Sequence, residues 1–329
     1  MKISALTTRP AAAVRRAARI FSSLPAACLL VCAPVTGQAQ SDSGGTQPLP
    51  NVTVTAPRPP TAQQLAGPSV PHFISHHAAL SVALGQLTRW RTPVCPLVSG
   101  LSPGFNEFIA TRLRAIAAST GAPVAPDSHC RVNIEILFTT QPQAAMDAIA
   151  KAYPDMLGMH YHSQMAQLKE VTHPIQGWYV TATRGQWGGR AGDQTWAHNM
   201  WGPNDLLAAG SVPGCAPGSR LSTECTSEIV NVFIVADTTK VAGYPVGSIS
   251  DYVAVVALSM VQSLDVCDPL PSILDLMSPS CRNHDKPDAI TAGDLALLKA
   301  LYRADLRLVP DLEKGNIQAQ MMSQFRSEH

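Results

Sequence analysis

Read for its hydrophobic and polar positions, the chain alternates strand-like and helix-like segments from residue 72 onward. Ile74 to Leu87 can form a helix, and Val94 to Val98 reads as a strand around Cys95. Asn106 to Ser119 places Phe108, Ile109, Leu113 and Ile116 on one helical face. Cys130 to Phe138 alternates at Val132, Ile134 and Ile136, the period of a strand. Gln143 to Ala152 is helical and stops before Pro154, and Gly177 to Arg184 carries a strand through Trp178, Val180 and Ala182. Glu228 to Asp237 is dominated by β-branched residues, the composition of a central strand. Two helices close the pattern. Gly247 to Gln262 is apolar on every side, as a helix buried in a domain centre must be, and Ser248 and Asp251 have capping-box spacing. Thr291 to Tyr302 repeats that spacing at Thr291 and Asp294 and presents Leu295, Leu298, Leu301 and Tyr302. This order predicts an α/β (α+β) domain with a mixed sheet and a buried central helix.

The segments flanking this pattern differ from it. Residues 1–39 have the layout of an export signal: Lys2, Arg9, Arg15, Arg16 and Arg19 with no acidic residue, an apolar run from Leu24 to Val35, then Gly37-Gln38-Ala39. The apolar run is too short for a stable membrane span, which needs roughly 20 residues. Residues 40–71 are rich in Pro, Ser and Gly and read as a disordered linker. Residues 72–329 form the globular domain, and 185–227 read as an irregular Gly- and Pro-rich insertion in it.

Charge and cysteine content sharpen the picture. The chain has 24 basic and 23 acidic residues, and the five basic residues of segment 1–39 leave 19 against 23. A mildly acidic mature chain argues against nucleic acid and against adhesion to anionic membrane. Outside the leader the cysteines are Cys95, Cys130, Cys215, Cys225, Cys267 and Cys281. An even count in an exported chain reads as a disulfide framework, which places the protein in the periplasm or outside the cell. Sequential pairing, Cys95–Cys130, Cys215–Cys225 and Cys267–Cys281, would close loops between neighbouring elements. The chain has no CxxC pair of the kind that zinc sites use.

The run from Cys267 to Leu276, followed by Ile290-Thr-Ala-Gly-Asp-Leu-Ala-Leu-Leu-Lys-Ala-Leu-Tyr-Arg-Ala-Asp-Leu-Arg307, resembles the C-terminal part of an exported proteobacterial family of unknown function with a zinc-peptidase-like (zincin-like) core. Residues 247–307 carry the resemblance best. It implies a zincin-like fold in which the Gly247–Gln262 helix borders a groove for an extended peptide. Aligned on the family's HExxH motif, the first His falls on Tyr252, the Glu on Val253 and the next ligand on Val256. In that motif two histidines one turn apart hold Zn²⁺, and the Glu takes a proton from the metal-bound water. Valine can do neither. The resemblance therefore implies the fold without the activity: a pseudo-metallopeptidase with no catalytic residues, metal or cofactor.

Two other groups of residues are candidates for binding. His160 and His162 would share one face of a strand, and with a carboxylate they could supply relocated ligands for an active metal-dependent hydrolase. The remaining histidines, His76 and His77 beside the linker among them, read as surface residues. Trp178, Trp187, Trp196 and Trp201, four of the five tryptophans, crowd a short stretch with Arg, Asn and Asp between them. Such residues suit stacking against peptide side chains or cell-wall glycan rings, or a local core that pins a long loop. The chain has no nucleophile elbow, Walker loop or dinucleotide glycine pattern. The expectation is an exported protein acting by binding in the envelope; the alternatives are the relocated-ligand hydrolase and a purely structural envelope protein.

Overall fold

The computed structural model describes residues 58–65, 68–126, 130–159, 162–193, 221–281 and 286–327. The expected export signal, most of the linker, Trp196, Trp201, Cys215, His160 and the His162 side chain lie outside the described residues. The helices are α1 (Ser69–His77), α2 (Pro103–Thr120), α3 (Pro142–Ala152), α4 (Met165–Leu168), α5 (Thr238–Val241), α6 (Val246–Leu258), α7 (Ala292–Arg303) and α8 (Pro310–Ser327). The strands are β1 (Arg89–Trp90), β2 (Pro96–Ser99), β3 (Ile134–Thr139), β4 (Ile175–Gly185), β5 (Arg190–Gly192) and β6 (Cys225–Asp237).

One six-stranded mixed sheet runs in the order β2-β3-β6-β4-β5, with β1 paired to β6 off that path. β2, β3 and β6 are parallel, and β4 runs antiparallel to both β6 and β5. β6 is central, as its β-branched composition predicts, and it is buried along most of its length. Alternation along β3 and β6 assigns the two sheet faces. Ile134, Ile136, Val232 and Ile234 join α2 and α6 in the main core. Phe233 and Val235, with Trp178 of β4, pack on Met146 and Ile149 of α3. A satellite core of Phe73, Ile74, Leu297, Leu301, Ile317, Met321 and Phe325 joins α1, α7 and α8.

Disulfides Cys95–Cys130 and Cys267–Cys281 close as expected. Cys225 is disulfide-bonded too, while Cys215 lies outside the described residues. No helix among the described residues is long and apolar enough to cross a membrane. The disulfides fit an oxidising compartment.

Several local expectations are corrected. The helix predicted over 74–87 is instead α1 at Ser69–His77, so helical backbone begins inside the expected linker. Pro71 sits in its first turn, where a missing N–H costs nothing, and Val70 and Phe73 are buried. The following residues turn tightly, with Ser81 Oγ accepting from the Ala83 and Leu84 amides. α6 ends at Leu258 rather than Gln262, and its N-cap is Pro245. Ser248 and Asp251 do not form a capping box there. Ser248 donates to the Asp288 carbonyl, and Asp251 accepts from Arg112 of α2 and from the Ile290 amide. Charge pairing between helices takes the Asp251 carboxylate away from its local role. At α7 the Thr291/Asp294 box forms as predicted. The insertion is shorter than 185–227, because β5 pairs with β4 and β6 begins at Cys225. The C-terminal helix α8 has no counterpart in the hydrophobic reading.

Candidate functional site

α6 carries the positions onto which the sequence resemblance aligns the lost metal motif. Tyr252, Val253 and Val256 on it are at most 1% exposed and belong to the main core. Burial pushes the Tyr252 phenol well above its usual range, helped by the Tyr179 phenol and by the Asp265 and Asp275 carboxylates. Two close approaches involve β4. A Cβ on Gly177 of β4 would lie 2.9 Å from Val256 Cγ1, so helix and strand meet backbone to side chain. A Cβ on Gly158 would lie 2.0 Å from the Tyr179 carbonyl oxygen, so the segment around Gly158 covers β4 there. β4 and α6 therefore pack closely at Gly177, with no space between them at that point.

α6 must also end inside the core, where its last carbonyls cannot reach water. Side chains from three separate elements reach them. Tyr179 of β4 donates to the Val256 carbonyl (2.9 Å) and Trp90 Nε1 of β1 to Ala257 (2.8 Å). Tyr302 of α7 donates to Leu258 (2.7 Å). The Ser259 amide takes Val255 (3.1 Å). All four terminal carbonyls have donors. The helix end is thus a junction of β1, β4 and α7.

Beside α6 lies a buried polar cluster under the loop 267–281. Ser272 caps the 3₁₀ turn Ile273–Leu276 in a capping box with Asp275. Asp294 of α7 accepts from Ser272 Oγ (2.6 Å), the Ile273 amide (2.8 Å) and the Thr291 amide (3.0 Å). Asp268 pairs with His76 (3.0 Å) and lies 3.7 Å from His77. His77 is 2% exposed, stacks on Phe73 and donates from Nδ1 to the Phe73 carbonyl. It is not a surface residue as its sequence position suggests. Burial lowers its pKa, against the pull of Asp294 and Asp268.

The same burial raises the carboxylates. Asp294 is pushed up by desolvation against its hydrogen bonds. Asp275 is pushed up to about 7 by burial, opposed by the Ser272 amide and reinforced by Asp294 and Asp268. Its Oδ1 has no hydrogen-bond partner. One of its carboxylate oxygens and the sulfurs of Cys267 and Cys281 lie within 4.8 Å of one another. This is a buried acid set against a disulfide.

The sequence-predicted binding residues do not converge here. His162 opens a 3₁₀ turn at His162–Gln164, so the shared strand face expected for His160 and His162 is not formed. Trp178 is core, its indole N–H bonded to the Leu168 carbonyl. Trp187 sits at the β4–β5 turn and is 76% exposed. Gly188, at φ +82, makes that turn possible. Near it Glu228 of β6, fully buried, pairs with both Arg184 and Arg190. Sequence reasoning passed over Asp268, Asp275, Asp294, His77 and Glu228 as site residues. The Ser272/Asp275 spacing is a capping-box signature and could have found two members of the cluster.

No protein-family model, curated protein or solved structure matches this chain.

Proposed function

We propose that the protein is an exported, zincin-like domain that has given up hydrolysis and acts by binding in the cell envelope. One observation carries this reading: the three helix positions where a zinc peptidase places its ligands and base are core residues, two of them valines. Valine has no lone pair for a metal and no proton to exchange. The sheet supports the fold part of the reading. It has parallel strands, an antiparallel strand beside the last of them, and then a buried helix. Binding falls to the exposed Trp187 turn. There an indole face beside two arginines, Arg184 and Arg190, suits peptide side chains or cell-wall sugar rings.

Two measurements test this. Elemental analysis of the purified oxidised protein should find no stoichiometric zinc. One tightly held zinc per chain, lost on His160→Ala, would put the relocated-ligand hydrolase ahead of this reading. Titration with muropeptides and with extended peptides should change tryptophan fluorescence, and Trp187→Ala should weaken binding by roughly tenfold, the scale of one aromatic anchor. A flat titration would leave the purely structural role as the better account.

A further inference from the structure

We propose that Cys267–Cys281 is a thiol–disulfide exchange site, with Asp275 as the acid that protonates the departing Cys281 sulfur. The two cysteines differ in exposure. Cys267 is half-buried, while Cys281 is fully buried. Cys267, on the more exposed side of the bond, is therefore where an incoming thiolate attacks. Attack there forms a mixed disulfide and breaks the Cys267–Cys281 bond, and the bonding pair leaves on Cys281 Sγ. A thiolate at that buried position would be costly without a proton or a cation beside it.

The structure supplies the proton. The Asp275 carboxyl is 4% exposed, has an unpartnered Oδ1, and lies within 4.8 Å of both sulfurs. Once the sulfur–sulfur bond is broken, Cys281 Sγ can turn toward the carboxyl. The proton then passes from Asp275 to Cys281 Sγ, leaving a thiol and a carboxylate. A dithiol reductant completes the step. Its second thiolate attacks its own sulfur in the mixed disulfide and releases Cys267 as a thiolate, and the reductant leaves as a disulfide. Two electrons enter the protein, and two leave the reductant.

The groups around Asp275 keep it protonated when it is needed. Burial above all, with Asp294 of α7 and Asp268 of the same loop, opposes its ionisation, while the Ser272 amide and Lys286 favour it. From α6 it faces Tyr252, a neutral phenol. The balance leaves a carboxyl that titrates at about 7. Cys95–Cys130 is the internal comparison. It too joins a buried and a half-buried cysteine, but among the described residues no carboxylate forms such a cluster with it. This exchange chemistry does not depend on the binding reading, since it uses different residues.

The test is the rate of reduction of the full oxidised protein by dithiothreitol, between about pH 5.5 and 8.5, to bracket the carboxyl. Alkylation after acid quench and mass spectrometry would follow the two cysteine pairs separately. Divided by the thiolate concentration, the Cys267–Cys281 rate should fall about tenfold as pH rises through 7, as expected for loss of a general acid. Asp275→Asn should abolish that fall and slow the acid-side rate by about tenfold, with Cys95–Cys130 unaffected. A flat normalised profile in the unmodified protein would overturn the proposal, whatever the folding of the variant. So would reduction of Cys95–Cys130 ahead of Cys267–Cys281, or an unchanged profile in Asp275→Asn.

Discussion

Removing the Tyr302 hydroxyl isolates the junction at the end of α6. Tyr302→Phe deletes one oxygen and keeps the ring, so it opens almost no cavity. What it removes is the donor 2.7 Å from the Leu258 carbonyl. Leu258 is fully buried, so water cannot replace that donor. An orphaned buried acceptor costs about 1–3 kcal/mol. Urea unfolding of the oxidised protein, followed by tryptophan fluorescence, would measure it. With a slope of roughly 1–3 kcal/mol per molar, a loss of ~2 kcal/mol moves the midpoint by about 1 M at unchanged slope. Tyr179→Phe should behave alike, because its hydroxyl serves the Val256 carbonyl. Tyr244→Phe, at an exposed position, should stay within ~0.5 kcal/mol. If Tyr302→Phe were as neutral as Tyr244→Phe, the carbonyls would have another source of donors and the junction would not hold the helix end.

Further expectations concern charge and backbone. Arg89 of β1 donates to the Leu301 and Ala304 carbonyls at the end of α7 and pairs with the buried Glu313 of α8. Arg89→Met should therefore cost about 3–5 kcal/mol in thermal or urea unfolding, because the Glu313 charge is left without its partner. Glu135, pushed up to about 7 by burial, should destabilise the fold as it ionises. Its contribution is fully present below the unfolded carboxylate pKa and is lost as pH rises through 7. Glu135→Gln should match the unmodified protein in unfolding at pH 4 and exceed it at pH 8, by about 3 kcal/mol. Gly158→Ala should be strongly destabilising, since its Cβ would strike the Tyr179 carbonyl, whereas Gly188→Ala meets nothing within 4 Å. The second variant should cost only the ~1 kcal/mol of a left-handed alanine, and comparison of the two melting curves would show the difference.

Most of the secondary structure was legible because it is local. Alternation in β3 and the β-branched run of β6 announce strands, and the unbroken apolar surface of α6 announces burial. α8 was not legible. Its buried residues, Glu313, Ile317, Met321 and Phe325, form one spaced stripe in an otherwise polar helix, and one of them is a charge. That charge is held by Arg89 and by the Leu87 amide, both more than two hundred positions away. The polar cluster was hidden for the same reason. Asp268, Asp294 and His77 look ordinary in sequence and become a site only when α1, the 267–281 loop and α7 meet. The reverse held for His162, whose spacing from His160 suggests a shared strand face but which opens a 3₁₀ turn.

α6 links these features. A helix with no polar face needs neighbours on every side, and these neighbours have to supply donors to its end. β1, β4 and α7 do so through Trp90, Tyr179 and Tyr302. The loop that fills the remaining side is fastened by Cys267–Cys281 and by the Ser272–Asp294 contact. Opening the disulfide would remove only one of these fastenings, since Ser272, Asp294 and Thr291 hold the loop base by hydrogen bonds alone. Reduction should therefore loosen the segment around Cys267 while leaving α6 packed. Amide exchange would then rise over residues 264–270 and stay low through 246–258. Exchange spreading into α6 on reduction would mean that the disulfide, rather than the aromatic junction, is what keeps the central helix in place.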